Sequence, residues 1–239
     1  MAYLDASVPG RRGAAFLALL SLPLAIATQA CIVLAIEGDT TLMFDGARLL
    51  ALPEGRAEAF YWFLWLDPFG YYAINIPIII YAWKALRHID ETVADFTSAA
   101  GIVYSLLGTF GAMIQAGSFE ALYALFNSET ATAVSQSAAA ASWSATVGGS
   151  IRGLWLFEAL CAGIWMLGLA KLLGAIGKKG LSITAGIMGV VWLVHWALAS
   201  ADMTAISNPM MGIVVMGGPL WAAWLGIILW PQPKHNDRG

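Results

Sequence analysis

Charge is what this sequence has least of. Asp, Glu, Lys and Arg make up 11% of its 239 residues, against 59% hydrophobic ones. A soluble domain carries roughly a quarter charged residues, so water is excluded as the solvent for most of this surface. The net charge of −3 and the lack of any basic run argue against a nucleic-acid partner. Cysteine is scarce too. Cys31 and Cys161 both lie in apolar stretches and read as small buried hydrophobes, not as a disulfide or a metal pair. Of the histidines only His195 falls in an apolar run, while His88 and His235 lie near charged residues. Haem held between helices needs axial ligands, typically paired His, so a bis-histidine cytochrome is excluded. His195, Glu158 and Asp67 would meet the ligand count of a catalytic zinc, but no HExxH-type spacing supports them. Gly148-Gly149-Ser150 forms no GxSxG elbow, and neither a Walker loop nor a GxGxxG turn is present. No lysine lies deep in the last apolar run, which argues against a retinal protein.

What the chain does have is apolar runs of membrane-crossing length. About 20 residues span a bilayer core, and the pattern predicts an all-α bundle of six transmembrane helices over 14–36, 60–83, 97–122, 151–176, 181–200 and 209–230. Residues 1–239 are expected to form a single membrane-embedded domain. Arg11-Arg12 before the first run could open a secretory signal, with Thr28-Gln29-Ala30 imitating a cleavage site. The run continues through Cys31-Ile32-Val33-Leu34, too long for such a core, and is expected to be retained as a span. Residues 37–58 form a polar connection, and the Ser, Ala and Thr-rich segment 127–150 reads as a low-complexity loop. Pro68, Pro77 and Pro219 are expected to kink their helices. Arg12-Gly13 and Arg152-Gly153 precede loosely similar runs, a match too short to mark an inverted repeat.

Cations set the expected orientation. Arg11, Arg12, Lys84, Arg87, Lys178, Lys179, Lys234 and Arg238 fall on one side, and Arg48, Arg56 and Arg152 on the other. Lys171 reaches the first side by snorkelling. Both termini are therefore expected in the cytoplasm. Trp62, Trp65, Trp83, Trp155, Trp221 and Trp230 lie near span ends, as an interfacial belt would.

Polar side chains inside apolar runs are costly, and they mark candidate sites. Asp67 and Glu158 each lie seven residues into a run, roughly 10 Å below the outer boundary. Gln29, Gln115, Glu120 and His195 share that outer half, and Asp202 lies just beyond the fifth run. Asp67, Tyr71 and Asn75 follow i, i+4, i+8 spacing and share a stripe. Tyr104, Gly108, Gly111 and Gln115 form a second stripe, whose glycines would admit a neighbouring helix. His195 and Asp202 are spaced to share a face. A polar pocket opening toward the outer leaflet is expected, lined by Gln29, Asp67, Tyr71, Asn75, Gln115, Glu120, Glu158 and His195. Against it stands the bland reading that each group meets water, a headgroup or Arg152 at the interface. Glu91 and Asp95 are expected to be solvated in a cytoplasmic connection.

Gly101-Ile102-Val103-Tyr104-Ser105-Leu106-Leu107, the Leu-Gly-rich end of the fourth run before Lys178-Lys179, Gly186-Ile187-Met188-Gly189, and Pro219-Leu220-Trp221 with Leu225-Gly226 stand out as strings. With them the chain resembles a bacterial family of six-helix membrane proteins defined as a domain of unknown function. The resemblance spans most of the chain and implies a membrane bundle, with no activity or catalytic residues attached. The expected role is non-enzymatic, in a bacterial-type inner membrane: an accessory subunit, or a binder of a lipid-like molecule in the outward pocket. The alternatives are a proton-coupled transporter using Asp67 and Glu158, and a membrane enzyme acting on a lipid or isoprenoid. That enzyme would use His195 and a carboxylate as acid and base. Membrane lipids and other membrane subunits are the expected partners. No cofactor is assigned.

Overall fold

The structure, a computed structural model, describes residues 8–230. Among these residues every regular element is helical: α1 (Arg11–Ile36), α2 (Gly46–Leu50), α3 (Glu54–Asp67), α4 (Asn75–Leu86), α5 (Glu91–Phe126), α6 (Ala133–Gly149), α7 (Leu156–Ala175), α8 (Lys179–Ser200) and α9 (Thr204–Leu229). A 3-10 turn, Thr40–Phe44, precedes α2, and π-helical turns, Pro68–Tyr72 and Ser150–Trp155, join α3 to α4 and α6 to α7. Six helical stretches are long and apolar enough to cross a membrane: α1, Glu54–Leu86, α5, Ala133–Ala175, α8 and α9. Their apolar runs coincide with the expected spans, but the helices extend beyond them. The second stretch starts at Glu54, before Phe60, and α5 runs from Glu91 to Phe126. Glu91 and Asp95 therefore belong to α5 and not to a connection. Lys234, His235 and Arg238 lie outside the described residues.

The main core sits where α1, α4, α5, α7, α8 and α9 meet, around Trp165, Met166, Leu169, Leu172, Leu181 and Trp221. α1 begins and α9 ends at the same end of the bundle, and Gly226 makes that contact possible. A Cβ there would lie 3.0 Å from the Ala15 carbonyl oxygen and 2.9 Å from Leu19. Such small-residue contacts are the usual basis of close helix packing in a bilayer. At this end Asp90 caps α5, accepting from the Val93 amide, and pairs with Lys171 at 2.9 Å. That Lys171 partner, helped by the Val93 amide, holds the Asp90 carboxyl below its ordinary range. Arg87 pairs with Glu91 and with Asp95 at 2.9 Å, and the Trp83 indole donates to Asp95.

The opposite end contains a second apolar cluster, here called the cap. At ~1.5 Å per residue the 36 residues of α5 extend about 54 Å, well beyond a hydrocarbon core of about 30 Å. α6 packs back along the distal part of α5. Ile36, Leu49, Leu50, Phe60, Phe63 and Phe119 close around Trp143, which is fully buried. The expected loop over 127–150 is thus corrected: its main part is a helix of 17 residues. Thr132 and Ser135 form a reciprocal capping box at its start, which satisfies backbone donors that would otherwise be orphaned. The alanines that suggested low complexity are the best helix formers. Ala139, Trp143 and Val147 recur every fourth residue and form the buried face.

The polar connection before α3 is also ordered. Asp39 accepts from the Thr41 amide and hydroxyl and pairs with Arg48 at 2.6 Å. The Thr41 hydroxyl, followed by Arg48, lowers the Asp39 carboxyl to about 2. Arg56 donates to the Ala35 carbonyl and pairs with Glu37 at 3.3 Å, fastening the end of α1 to α3.

Candidate functional site

Between the main core and the cap lies a cavity of about 460 Å³. α1, α3, α4, α5, α7, α8 and α9 all contribute to its wall. Val33, Gly38, Thr40 and Gly212 line it and are themselves exposed, so the mouth lies at the distal ends of α1 and α9. Most of the wall is apolar, with Met43, Met166, Met188 and Met211 among its residues. Unbranched thioethers give such a wall an adaptable surface.

Two π turns deliver the acids. Pro68 has no amide proton and its ring crowds the preceding turn, so the chain widens from Pro68 to Tyr72 and the Ala73 amide reaches back to the Pro68 carbonyl. Asp67 sits immediately before this turn and lines the cavity. Ser150–Trp155 widens the fourth stretch in the same way, and Glu158 follows it in the first turn of α7. π turns inside α-helices are often found at functional sites. Glu158 is 2% exposed, lies near enough to Asp67 for their charges to interact, and has Tyr72 within hydrogen-bonding reach. Its Oε2 has no hydrogen-bond partner among the described residues. Asp67 is half-buried.

Around Tyr71 the polar groups are tightly connected. Gln29 donates to the Tyr71 hydroxyl at 3.0 Å, and that hydroxyl donates weakly to the Ala25 carbonyl. The Tyr71 carbonyl accepts from the Tyr104 hydroxyl at 2.9 Å and from the Asn75 side chain at 2.6 Å. Beside them runs an aromatic wall. Tyr72 packs on Tyr104 (5.5 Å between centroids), and Tyr104 stacks on Trp165 (5.4 Å) and meets Trp192 edge-on.

The expected glycine stripe has a different use from the one its spacing suggested. A Cβ on Gly108 would collide with the Tyr72 ring, and one on Gly111 with the Trp155 indole. These glycines admit aromatic rings into the cavity wall, where a neighbouring helix backbone was expected.

Of the expected pocket residues, Gln29, Asp67, Tyr71, Asn75 and Glu158 line this cavity. Gln115, Glu120 and His195 are not among its lining residues. Gln115 is fully buried on α5 with neither amide atom bonded to protein. Glu120, within the expected span, is exposed on the distal part of α5 beyond Gln115. His195 is held through Nδ1 to the Ser207 carbonyl at 2.9 Å, and Trp192, edge-to-face with it, lines the cavity instead. Asp202 lies past the end of α8 with φ 56°, so it does not continue the His195 face, and it pairs with Arg152 at 3.5 Å. Asp67 ends α3, about 20 Å along the helix from Glu54.

Among the described residues no group of three His, Cys, Asp or Glu is placed to hold a metal, so His195, Glu158 and Asp67 do not gather as ligands. The sequence reading missed Tyr72, Trp155, Trp165 and Trp192 as site residues. Trp155 had been assigned to the interfacial belt, as had Trp221, which is 5% exposed and donates to the Leu181 carbonyl at 3.1 Å. Comparison with known protein families, curated proteins and solved structures finds no match for this chain.

Proposed function

We propose that this chain is a non-enzymatic, multi-pass protein of a bacterial-type inner membrane that holds a lipid-like molecule in the cavity. One observation carries the reading: an apolar cavity of about 460 Å³ with Gln29, Asp67, Tyr71, Asn75 and Glu158 converging on it from three membrane stretches. Ligand sites are mostly apolar with a few convergent polar groups, and an amphiphile matches both parts. Gly212 lines the mouth, and a Cβ there would meet nothing within 4 Å. Gly212→Trp should therefore fold, fill the mouth and remove the thermal stabilisation that added membrane lipid extract gives to delipidated wild-type protein. A variant stabilised as strongly as wild type would sink the proposal. Binding could serve the protein alone or as an accessory subunit of a larger membrane assembly.

Orientation follows from the cations. Arg11, Arg12, Lys84, Arg87, Lys178 and Lys179 cluster at the terminal end, which we assign to the cytoplasm, and Arg48, Arg56 and Arg152 lie toward the cap. With Cys31 and Cys161 replaced by alanine, Ser128→Cys should react with an impermeant maleimide in intact spheroplasts. Lys179→Cys should react only after the membrane is opened, and the reverse pattern would invert the assignment.

A second reading is a proton-coupled carrier, favoured by two carboxyls in one intramembrane cavity that no basic side chain lines among the described residues. It requires that Asp67→Asn and Glu158→Gln insert normally yet lose pH-driven flux in proteoliposomes. Unchanged flux in both variants would remove it.

A further inference from the structure

We propose that the cavity takes a lipophilic organic cation, with an ammonium-type head between Asp67 and Glu158 and an apolar body along the aromatic wall. This rests on the amphiphile-binding reading above and specifies the charge of the head.

Among the described residues the cavity wall has a single sign of ionisable charge: Asp67 and Glu158 line it, and no Lys, Arg or His does. The cations that lie toward the cap are committed elsewhere: Arg48 to Asp39, Arg56 to Glu37 and Arg152 to Asp202. A buried carboxylate without a counter-charge is costly, and proteins tolerate that cost mainly where a ligand or a proton supplies the missing charge. Glu158 meets the condition closely. It is 2% exposed, it lines the cavity, and its Oε2 is left without a partner among the described residues.

The rest of the wall suits the same occupant. Tyr72, Tyr104, Trp155, Trp165 and Trp192 all line the cavity, and aromatic faces attract ammonium groups most strongly where water is excluded. An anionic head would face two carboxylates, a like-charge contact that selects against it. A neutral alcohol would leave a proton to supply the missing charge and would make no use of the attraction of aromatic faces for a cation.

The test is a charge series on one tail. Tritiated dodecylammonium, dodecanol and dodecanoate are added to the full chain in nanodiscs of zwitterionic lipid, and saturable binding is defined by displacement with excess unlabelled compound. The expected result is saturable binding of dodecylammonium, weakened roughly tenfold or more in Glu158→Gln and in Asp67→Asn, as for loss of a close charge partner. Dodecanoate should show none. Saturable binding of dodecanol or dodecanoate in preference to the amine would overturn the cation assignment and leave the amphiphile reading standing. Absence of saturable binding for all three would overturn both. Equal amine affinity in both variants would place the binding elsewhere and overturn the assignment. The wild-type series decides the matter by itself if a variant fails to insert.

Discussion

Trp143→Ala is expected to cost about 3–5 kcal/mol, the usual range for deleting a fully buried large aromatic, and to loosen the cap first. Trp143 has no exposed surface and packs edge-on against Phe60 at 5.7 Å and Phe119 at 5.5 Å. Its indole also donates to the Met43 carbonyl at 2.9 Å, so truncation leaves an acceptor unpaired as well as a void. Phe60 belongs to α3 and Phe119 to α5, so one ring ties α6 to both. Met43 lines the cavity, and loosening should reach it. Hydrogen exchange should show lost protection in α6 and residues 40–50, while α8, which belongs to the other core, keeps its own. Trp143→Phe should lose much less, since the packing survives and about 1 kcal/mol of hydrogen bonding is removed. Uniform loss of protection over the whole bundle would show that the two clusters unfold as one.

Glu158→Met is expected to act in the opposite direction on the ligand-free protein. A buried polar atom left without a partner costs about 1–3 kcal/mol, and an apolar side chain of similar volume removes that cost. Glu158 satisfies the premise, being almost fully buried with an unpartnered oxygen. The lost contact with Tyr72 offsets part of the gain, and Glu158→Met combined with Tyr72→Phe should recover it. The same substitution should abolish stabilisation by any amphiphile that reads the carboxylate. A gain in stability with a loss of binding is the signature of a group kept for function. If Glu158→Met instead lowers stability by several kcal/mol, the carboxyl is a structural tie through Tyr72 and the functional reading of the pair fails.

The spans were legible because long apolar runs have few alternatives, and the acids because a carboxylate in such a run is conspicuous. Asp67 and Glu158 were singled out in this way, Gln29 as an amide in such a run, and Tyr71 and Asn75 by their spacing from Asp67. Tyr72, Trp165 and Trp192 were not, because an aromatic ring facing a cavity and one facing lipid have the same neighbours in sequence. α6 was hidden by its composition, although the fourfold spacing of Ala139, Trp143 and Val147 and the Thr132 cap would have revealed it. Helix starts were placed where hydropathy rises, whereas α3 begins at Glu54, outside the apolar layer. Glu120 lies within the expected span, but hydropathy does not tell which face of a helix meets a cavity, and its side chain is exposed. The π turns, which depend on local widening around Pro68 and Ser150, have no simple periodic signal.

Native mass spectrometry of the chain released gently from its own membrane tests the central claim most directly. The wild-type protein should carry one small amphiphile per chain through removal of the bulk lipid, and Gly212→Trp should emerge without it. A wild-type chain that emerges bare, or a variant that retains the same adduct, would contradict the account.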